Sequence, residues 1–354
     1  MEKNFLITTG GSGGHVIPAT ILYDHLSKGA NVILSTDKRG LKYLDKNIYK
    51  FKVINTPKLN NIFFLPFNLI LILFLTFKSF LLLRSQNIQK IFSTGGYMSL
   101  PIILAALFLK LEIYLIEPNQ VLGRSNRYFL KYCKKILCYS EKIKNFPDNF
   151  INKMEVIYPL VKENIYKIQS SNEIKNKFTL LIVGGSQGAN IFDKNLKDIC
   201  VSISKKNSIR VIQQTNEKNV NLLSDFYSKN NLENKIFSFE KNLSNYIKQA
   251  DLSITRSGAS TLAELSVMNV PFIAIPLPTS KDNHQLENAV YYKNFDCCWI
   301  VEQNYFDEKI EDLLNDIIVN KKDCLKKKEN LKKMNYQNTW INANQKILKI
   351  INEN

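Results

Sequence analysis

Two textures alternate along the chain. Short apolar runs, each ending in turn residues, lie at 5–9, 32–36, 91–94 and 112–116, and again at 178–183, 209–214, 235–239, 252–255, 271–275 and 297–301. They are too short for buried helices and too uniformly apolar for half-exposed strands, which predicts parallel strands covered on both faces. Helical spacing fills the intervals at 16–26, 100–109, 190–204 and 260–268, and the chain beyond 301 reads as helical to its end. Strand, turn and helix in repetition predict an α/β protein with doubly wound parallel sheets. The pattern lapses over 157–174, where Pro159, Ser170, Ser171 and Asn172 gather, so a domain boundary falls near Val161. The expected units are 1–162 with a returning C-terminal helix at 336–354, anchored by Trp340, and 163–335.

One segment exceeds this rhythm. Residues 62–83, IFFLPFNLILILFLTFKSFLLL, approach the length of about 20 apolar residues that a membrane span needs. Pro66, Asn68 and Lys78 interrupt it, and it sits inside a strand–helix series that a span would divide. The expectation is a helix packed on the sheet with an exposed apolar face, bordered by Lys58, Lys78, Arg84 and Lys90 and suited to an anionic membrane surface. An ordinary buried core helix is the alternative.

Chemistry gathers where strands end. In the first half these ends carry Gly10-Gly11-Ser12-Gly13-Gly14-His15, Gly95-Gly96-Tyr97 and Glu117-Pro118-Asn119. Glycine and polar residues at the carboxyl ends of parallel strands are where open α/β sheets bind ligands. His15 at a helix start should stay neutral, able to act as a general base. The strand at 32–36 ends near Asp37, which keeps a dinucleotide site open as a weak reading. The second half opens with Gly184-Gly185-Ser186-Gln187-Gly188 and a helix, a repeat of the first unit. Farther on, the strand at 252–255 turns at Ser257-Gly258 into a helix whose free N–H groups favour a diphosphate. Glu264 follows one turn later, placed to accept from ribose hydroxyls, and Asp282, Asn283, His284 and Gln285 supply short polar groups for a sugar. Two such halves predict similar domains facing across a cleft that binds a nucleotide sugar.

Composition narrows the alternatives. A chain of 354 residues, 45% hydrophobic and 22% charged, is globular and long enough for two cores. Its net charge of +17 calls for an acidic partner. The basic residues are scattered, and no zinc-finger or RNA-recognition spacing is present, so nucleic acid is not the expected partner. Six cysteines without paired spacing and three histidines predict buried thiols and no metal site. The chain opens directly into a strand, with no signal peptide expected.

Six stretches carry a resemblance across nearly the whole chain: GGSGGHVIPA (10–19), STGGYMSLP (93–101), EPNQVLGRSNR (117–127), VGGSQGAN (183–190), TRSGASTLAEL (255–265) and KDNHQLENA (281–289). In this order they resemble the MurG family. These membrane-associated transferases move N-acetylglucosamine from UDP-N-acetylglucosamine to undecaprenyl-diphospho-muramoylpentapeptide (lipid I), giving lipid II for peptidoglycan. The resemblance implies a GT-B fold of two Rossmann-like domains, with the donor held mainly by the second. It implies donor contacts at Ser12, Gly13, Gly14, Asn119, Ser186, Ala259, Ser260, Thr261, Leu262, Ala263, Glu264 and Gln285. Gly95, Gly96 and Tyr97 would meet the acceptor, and His15 and Glu117 are the catalytic candidates, either being the base. No cofactor or metal is implied. Implied partners are the anionic inner leaflet of the cell membrane, at its cytoplasmic face, and other cell-wall synthesis and division proteins.

The chain departs from the family at three places. Ile116 and Pro118 replace a His and a Gln beside Glu117. Val161 replaces an Arg, with Lys162 next to it, and Glu240 stands where an apolar residue usually meets the uracil. A diacylglycerol glycosyltransferase or a UDP-sugar epimerase would share the donor half. A non-catalytic basic membrane- or nucleic-acid-binding protein would leave the Gly loops without a role.

Overall fold

The computed structural model describes residues 3–57, 62–167, 176–185, 190–238, 240 and 242–353. The chain divides into two compact units, Met1–Val161 with Ile341–Asn354, and Lys162–Trp340. The first unit holds β1 (Asn4–Thr8), β2 (Asn31–Thr36), β3 (Phe51–Val53), β4 (Lys90–Ser93), β5 (Glu112–Glu117), β6 (Lys135–Cys138) and β7 (Met154–Val156). They form one parallel sheet in the order β3-β2-β1-β4-β5-β6-β7. Leu6, Ile7, Leu34, Ile91, Phe92, Leu115 and Ile136 are fully buried, so helices cover both faces, as the unbroken apolar runs require. Phe92 pairs in register with Tyr114 and stacks on it at 5.2 Å.

The second unit repeats the plan. Its strands β8 (Phe178–Val183), β9 (Ile209–Gln214), β10 (Glu233–Phe237), β11 (Leu252–Thr255), β12 (Phe272–Ala274) and β13 (Cys298–Ile300) are parallel in the order β10-β9-β8-β11-β12-β13. In each sheet the first strand lies between the second and the fourth. The winding reverses there, and the loops after these two strands splay apart into a crevice at their carboxyl ends. The Gly-rich turns after β1 and β4, and after β8 and β11, therefore sit at the two switch points.

The last helix, Trp340–Asn352, belongs to the first unit except at its start. Ile347, Ile350 and Ile351 are buried, Asn344 Nδ2 donates to the His25 carbonyl at 3.0 Å, and Lys90 Nζ donates to the Ile351 carbonyl at 2.5 Å. Trp340, expected as the anchor on the first unit, instead meets Tyr166 edge-on within the second. The aliphatic face of the helix and its carbonyl end do the anchoring.

The apolar segment forms the helix Leu65–Ser85, which packs on the helix Leu100–Phe108. Its buried positions are Ile72, Thr76, Ser79 and Leu83. Phe67, Ile70, Leu73, Phe74 and Phe77 are exposed, Phe67 by 65%. By length and composition this is the one described helix able to cross a membrane, and only 17% of its apolar window is buried in the protein, unlike an ordinary buried core helix. Among its expected basic neighbours, Lys78 and Arg84 are exposed. Lys90 is not part of a free border, because it pairs with Glu112 at 2.8 Å and caps the last helix. Lys58 lies outside the described residues.

Candidate active site

In the first unit the loops after β1, β4 and β5 are tied together by their own side chains. Ser12 is the extended N-cap residue of the helix Gly13–Leu26, which begins three residues earlier than its periodicity indicates because Gly13 and Gly14 join its first turn. One position on, half-buried His15 places Nδ1 2.7 Å from the Thr94 carbonyl at the end of β4. A carbonyl only accepts, so Nδ1 carries the hydrogen, and the neutral form of the ring has its lone pair on Nε2. That is the tautomer a general base needs, set by a residue on the neighbouring strand. The turn Gly95-Gly96 runs at φ +87 and +85, and a Cβ on Gly96 would come within 2.3 Å of the Met98 sulfur. Only glycine fits there.

Glu117 is buried at the end of β5, and every contact it makes holds its own loop. Oε1 accepts from the Asn119 backbone at 3.2 Å and side chain at 3.1 Å, while Oε2 accepts from Gly123 N at 2.7 Å and Asn126 Nδ2 at 3.0 Å. Burial pushes its carboxyl up, and the donors from Gly123, Asn126 and Asn119 pull the other way. A carboxylate ringed by donors orients Asn119 and the loop. This geometry fits a loop organiser better than a proton acceptor.

Asp37 ends β2, and its carboxylate is spent on Gly11 N at 2.8 Å, Gly40 N at 3.0 Å and Arg39 Nε at 2.7 Å. That corrects the dinucleotide reading, which needs this carboxylate for a ribose. Sequence reasoning missed Arg39 and Asn126. Arg39 meets Asp37 two positions away but Tyr97 58 positions away, and Asn126 reaches Glu117 and Ile116 across nine and ten positions, spacings that match no local pattern.

In the second unit the helix Ala259–Val267 starts after Gly258, whose φ is −70. Among the described residues, a Cβ there would meet nothing within 4 Å. Neither its backbone conformation nor packing against the described residues demands this glycine, which leaves room at a helix start. The first helical bond is Leu262 N to Gly258 O at 3.0 Å, which puts the N–H groups of Ala259, Ser260 and Thr261 ahead of the ladder. Leu262 and Ala263 are wholly buried, so their side chains belong to the core and not to a ligand surface. The hydroxyls of Ser257 and Ser260 are buried without a protein hydrogen-bond partner among the described residues.

Half-buried Glu264 follows on the same helix. Burial pushes its carboxyl up to about 7, and Lys162 pulls in the opposite direction. Lys162, neighbour of the substituted Val161, therefore acts on the residue expected to hold the ribose. Gln285 Oε1 accepts from Ser257 N at 3.3 Å and Leu277 N at 3.0 Å, binding the β11 and β12 loops together and leaving Nε2 as the donor end of the amide. Arg256, also missed, is buried against the Ile275 and Pro276 carbonyls and Gln303, and supports the same loops. Glu240 closes a local turn onto Asn242 N at 2.8 Å. Asp282 and Asn283 adopt φ of 53 and 54, and His284 Nδ1 lies 2.8 Å from the Lys281 carbonyl. Ser186 lies outside the described residues. Among those described, no three His, Cys, Asp or Glu groups gather as a metal site, and all six cysteines are buried and unbridged.

Two doubly wound sheets of the same strand order, with glycine turns and polar side chains at both switch points, are the GT-B glycosyltransferase architecture. Residues 5–138 match the glycosyltransferase family 28 N-terminal domain, and residues 179–342 match the glycosyltransferase family 28 C-terminal domain. The chain belongs to the MurG family of family 28 glycosyltransferases. A relative from Pelagibacter ubique is 47% identical over 357 residues, with 100% of both chains covered. It is named UDP-N-acetylglucosamine–N-acetylmuramyl-(pentapeptide) pyrophosphoryl-undecaprenol N-acetylglucosamine transferase. A Rickettsia felis protein of the same name is 36% identical, covering 90% of this chain and 92% of its own. The crystal structure of Acinetobacter baumannii MurG superposes with a TM-score of 0.74 at 21% identity, over 99% of each chain. A UDP-N-acetylglucosamine 2-epimerase superposes at 0.60 with 10% identity, over 93% of this chain and 91% of its own, so the fold alone does not define the reaction.

Proposed function

We propose that this chain transfers N-acetylglucosamine from UDP-N-acetylglucosamine to the muramoyl 4-hydroxyl of lipid I, with inversion, to give lipid II. Full-length identity of 47% to an enzyme named for that transfer carries the reading. The second unit takes the donor. N–H groups of Ala259, Ser260 and Thr261, with Ser186, face the diphosphate, Glu264 accepts from the ribose, and Gln285 serves the sugar hydroxyls. The unpartnered Ser257 and Ser260 hydroxyls support this, since buried polar groups need partners. Charge developing on the departing UDP is met by the helix-start N–H groups, so the reaction is read as needing no cofactor.

The first unit takes the acceptor at Gly95 to Tyr97, with His15 beside the turn that carries Ser12, Gly13 and Gly14. The donor is α-linked and the product β-linked, so the 4-hydroxyl attacks C1 from the opposite face and must lose its proton. His15 receives it on Nε2, while Thr94 keeps Nδ1–H in place. Glu117 is assigned the positioning of Asn119. The exposed face of Leu65–Ser85, with Lys78 and Arg84, rests on the anionic inner leaflet, where a lipid-linked acceptor presents its head group.

The test is transfer of labelled sugar from UDP-N-acetylglucosamine to a short-chain lipid I analogue, with product identified by mass. Disaccharide product is expected. Glucosaminyl transfer to diacylglycerol, or epimerisation of the donor with lipid I untouched, would overturn the acceptor assignment.

A further inference from the structure

Two side chains outside the glycine motifs join the turn after β1 to the hydroxyl of Tyr97. Buried Asp37 accepts from Gly11 and Gly40 through Oδ1, and from Arg39 Nε through Oδ2 at 2.7 Å. Arg39 Nη2 reaches the same Oδ2 at 2.6 Å and donates to the Tyr97 hydroxyl at 2.5 Å. The guanidinium also lies 5.3 Å from the Tyr97 ring centroid. A planar group gripped at one edge by a carboxylate has little freedom left, so Arg39 acts as a rigid strut 58 residues from its second partner.

The strut also sets a polarity. Guanidinium groups only donate, so the Tyr97 oxygen accepts from Arg39, and its own proton is turned to a different partner. Burial works against ionisation of Asp37, but donors from Gly11, Arg39 and Gly40 outweigh it and hold the carboxyl below its ordinary range. Burial likewise raises Tyr97 and keeps its proton in place.

We infer that Arg39, anchored by Asp37, is a positioning residue for the transfer, holding the Tyr97 hydroxyl as a hydrogen-bond donor to an oxygen of the acceptor. The inference rests on the reading that the first unit binds the acceptor. It adds a residue that neither the family motifs nor local spacing brings forward.

A kinetic double-mutant cycle tests it, using Arg39→Gln, Tyr97→Phe, the double variant and Arg39→Lys in the full-length protein. Each of the Gln and Phe variants should raise the KM for a lipid I analogue about tenfold, the loss of one charge-assisted hydrogen bond. The KM for UDP-N-acetylglucosamine should not move. Arg39→Gln should add nothing once Tyr97 is Phe, and Arg39→Lys should fail to recover the wild-type value, because an ammonium cannot span Asp37 and Tyr97 together. Multiplying losses in the double variant, or full recovery by Lys, would overturn the positioning role and leave Arg39 acting by its charge alone. A raised donor KM would also overturn it, by showing a general collapse of the turn. Absence of transfer by the wild-type protein would instead refute the acceptor reading on which the inference stands.

Discussion

His15 shows how a neighbour converts a common residue into a specific one. A lone histidine at a helix start has two tautomers, and the Thr94 carbonyl selects the one with Nε2 unprotonated. Glu264 makes a quantitative case. Its carboxyl sits at about 7 in the folded protein, above the usual value of 4.5. The folded state therefore binds more protons than the unfolded chain between these values, and its stability falls as pH rises through that window. Glu264→Gln should melt at a higher temperature than wild type above pH 7 and match it below about pH 4.5. The same variant should raise the donor KM about tenfold or more, because an amide accepts more weakly than a carboxylate. Scanning calorimetry across pH and donor titrations check both; an equal melting offset at every pH would show that burial of the charge is not the cause.

Among the secondary-structure elements, what could be read from the chain tracks the apolar run each one sits in. Strands β1, β5 and β8 lie in apolar runs of five or six residues that stand out, and even the three-residue strands β12 and β13 are legible inside the runs 271–275 and 297–301. Strands β3 and β7, Phe-Lys-Val and Met-Glu-Val, carry a charge at the centre, and β6, Lys-Ile-Leu-Cys, opens on a charge; these three are not legible in the sequence. Without a longer apolar run, only pairing to a neighbour makes them strands. The glycine turns were readable because backbone geometry demands them, whereas the Asp37–Arg39–Tyr97 link arises only once β2 and β4 lie in one sheet. The helix Leu65–Ser85 illustrates a different limit. It is apolar all round, so periodicity could not say which face the protein covers, and Thr76 and Ser79 turn out to be among the buried residues. Replacing exposed Leu73 and Phe77 with Gln should lower partition onto anionic phospholipid vesicles by at least about tenfold, judged from about 1.5–3 kcal/mol per buried apolar side chain. Melting temperature should stay near wild type. Unchanged sedimentation with vesicles, or a large drop in melting temperature, would place that face against protein instead.

Over the whole chain, two sheets of the same order divide the chemistry between them. The first holds a histidine fixed through its Nδ1 and an Arg-braced tyrosine, and the second holds a helix start, an elevated carboxyl and an amide fixed by two backbone donors. The charge of +17 adds attraction to an anionic surface, an effect that salt should weaken. What unites these parts is the assignment of His15 as the base for sugar transfer to lipid I. The decisive measurement is kcat for that transfer in wild type and His15→Ala, with donor affinity measured on the same samples. A fall of about 10²–10⁴ in kcat, the usual range for loss of a general base, with unchanged UDP-N-acetylglucosamine affinity, is the expected result. Wild-type kcat in His15→Ala would contradict it and remove the first unit's histidine from the chemistry.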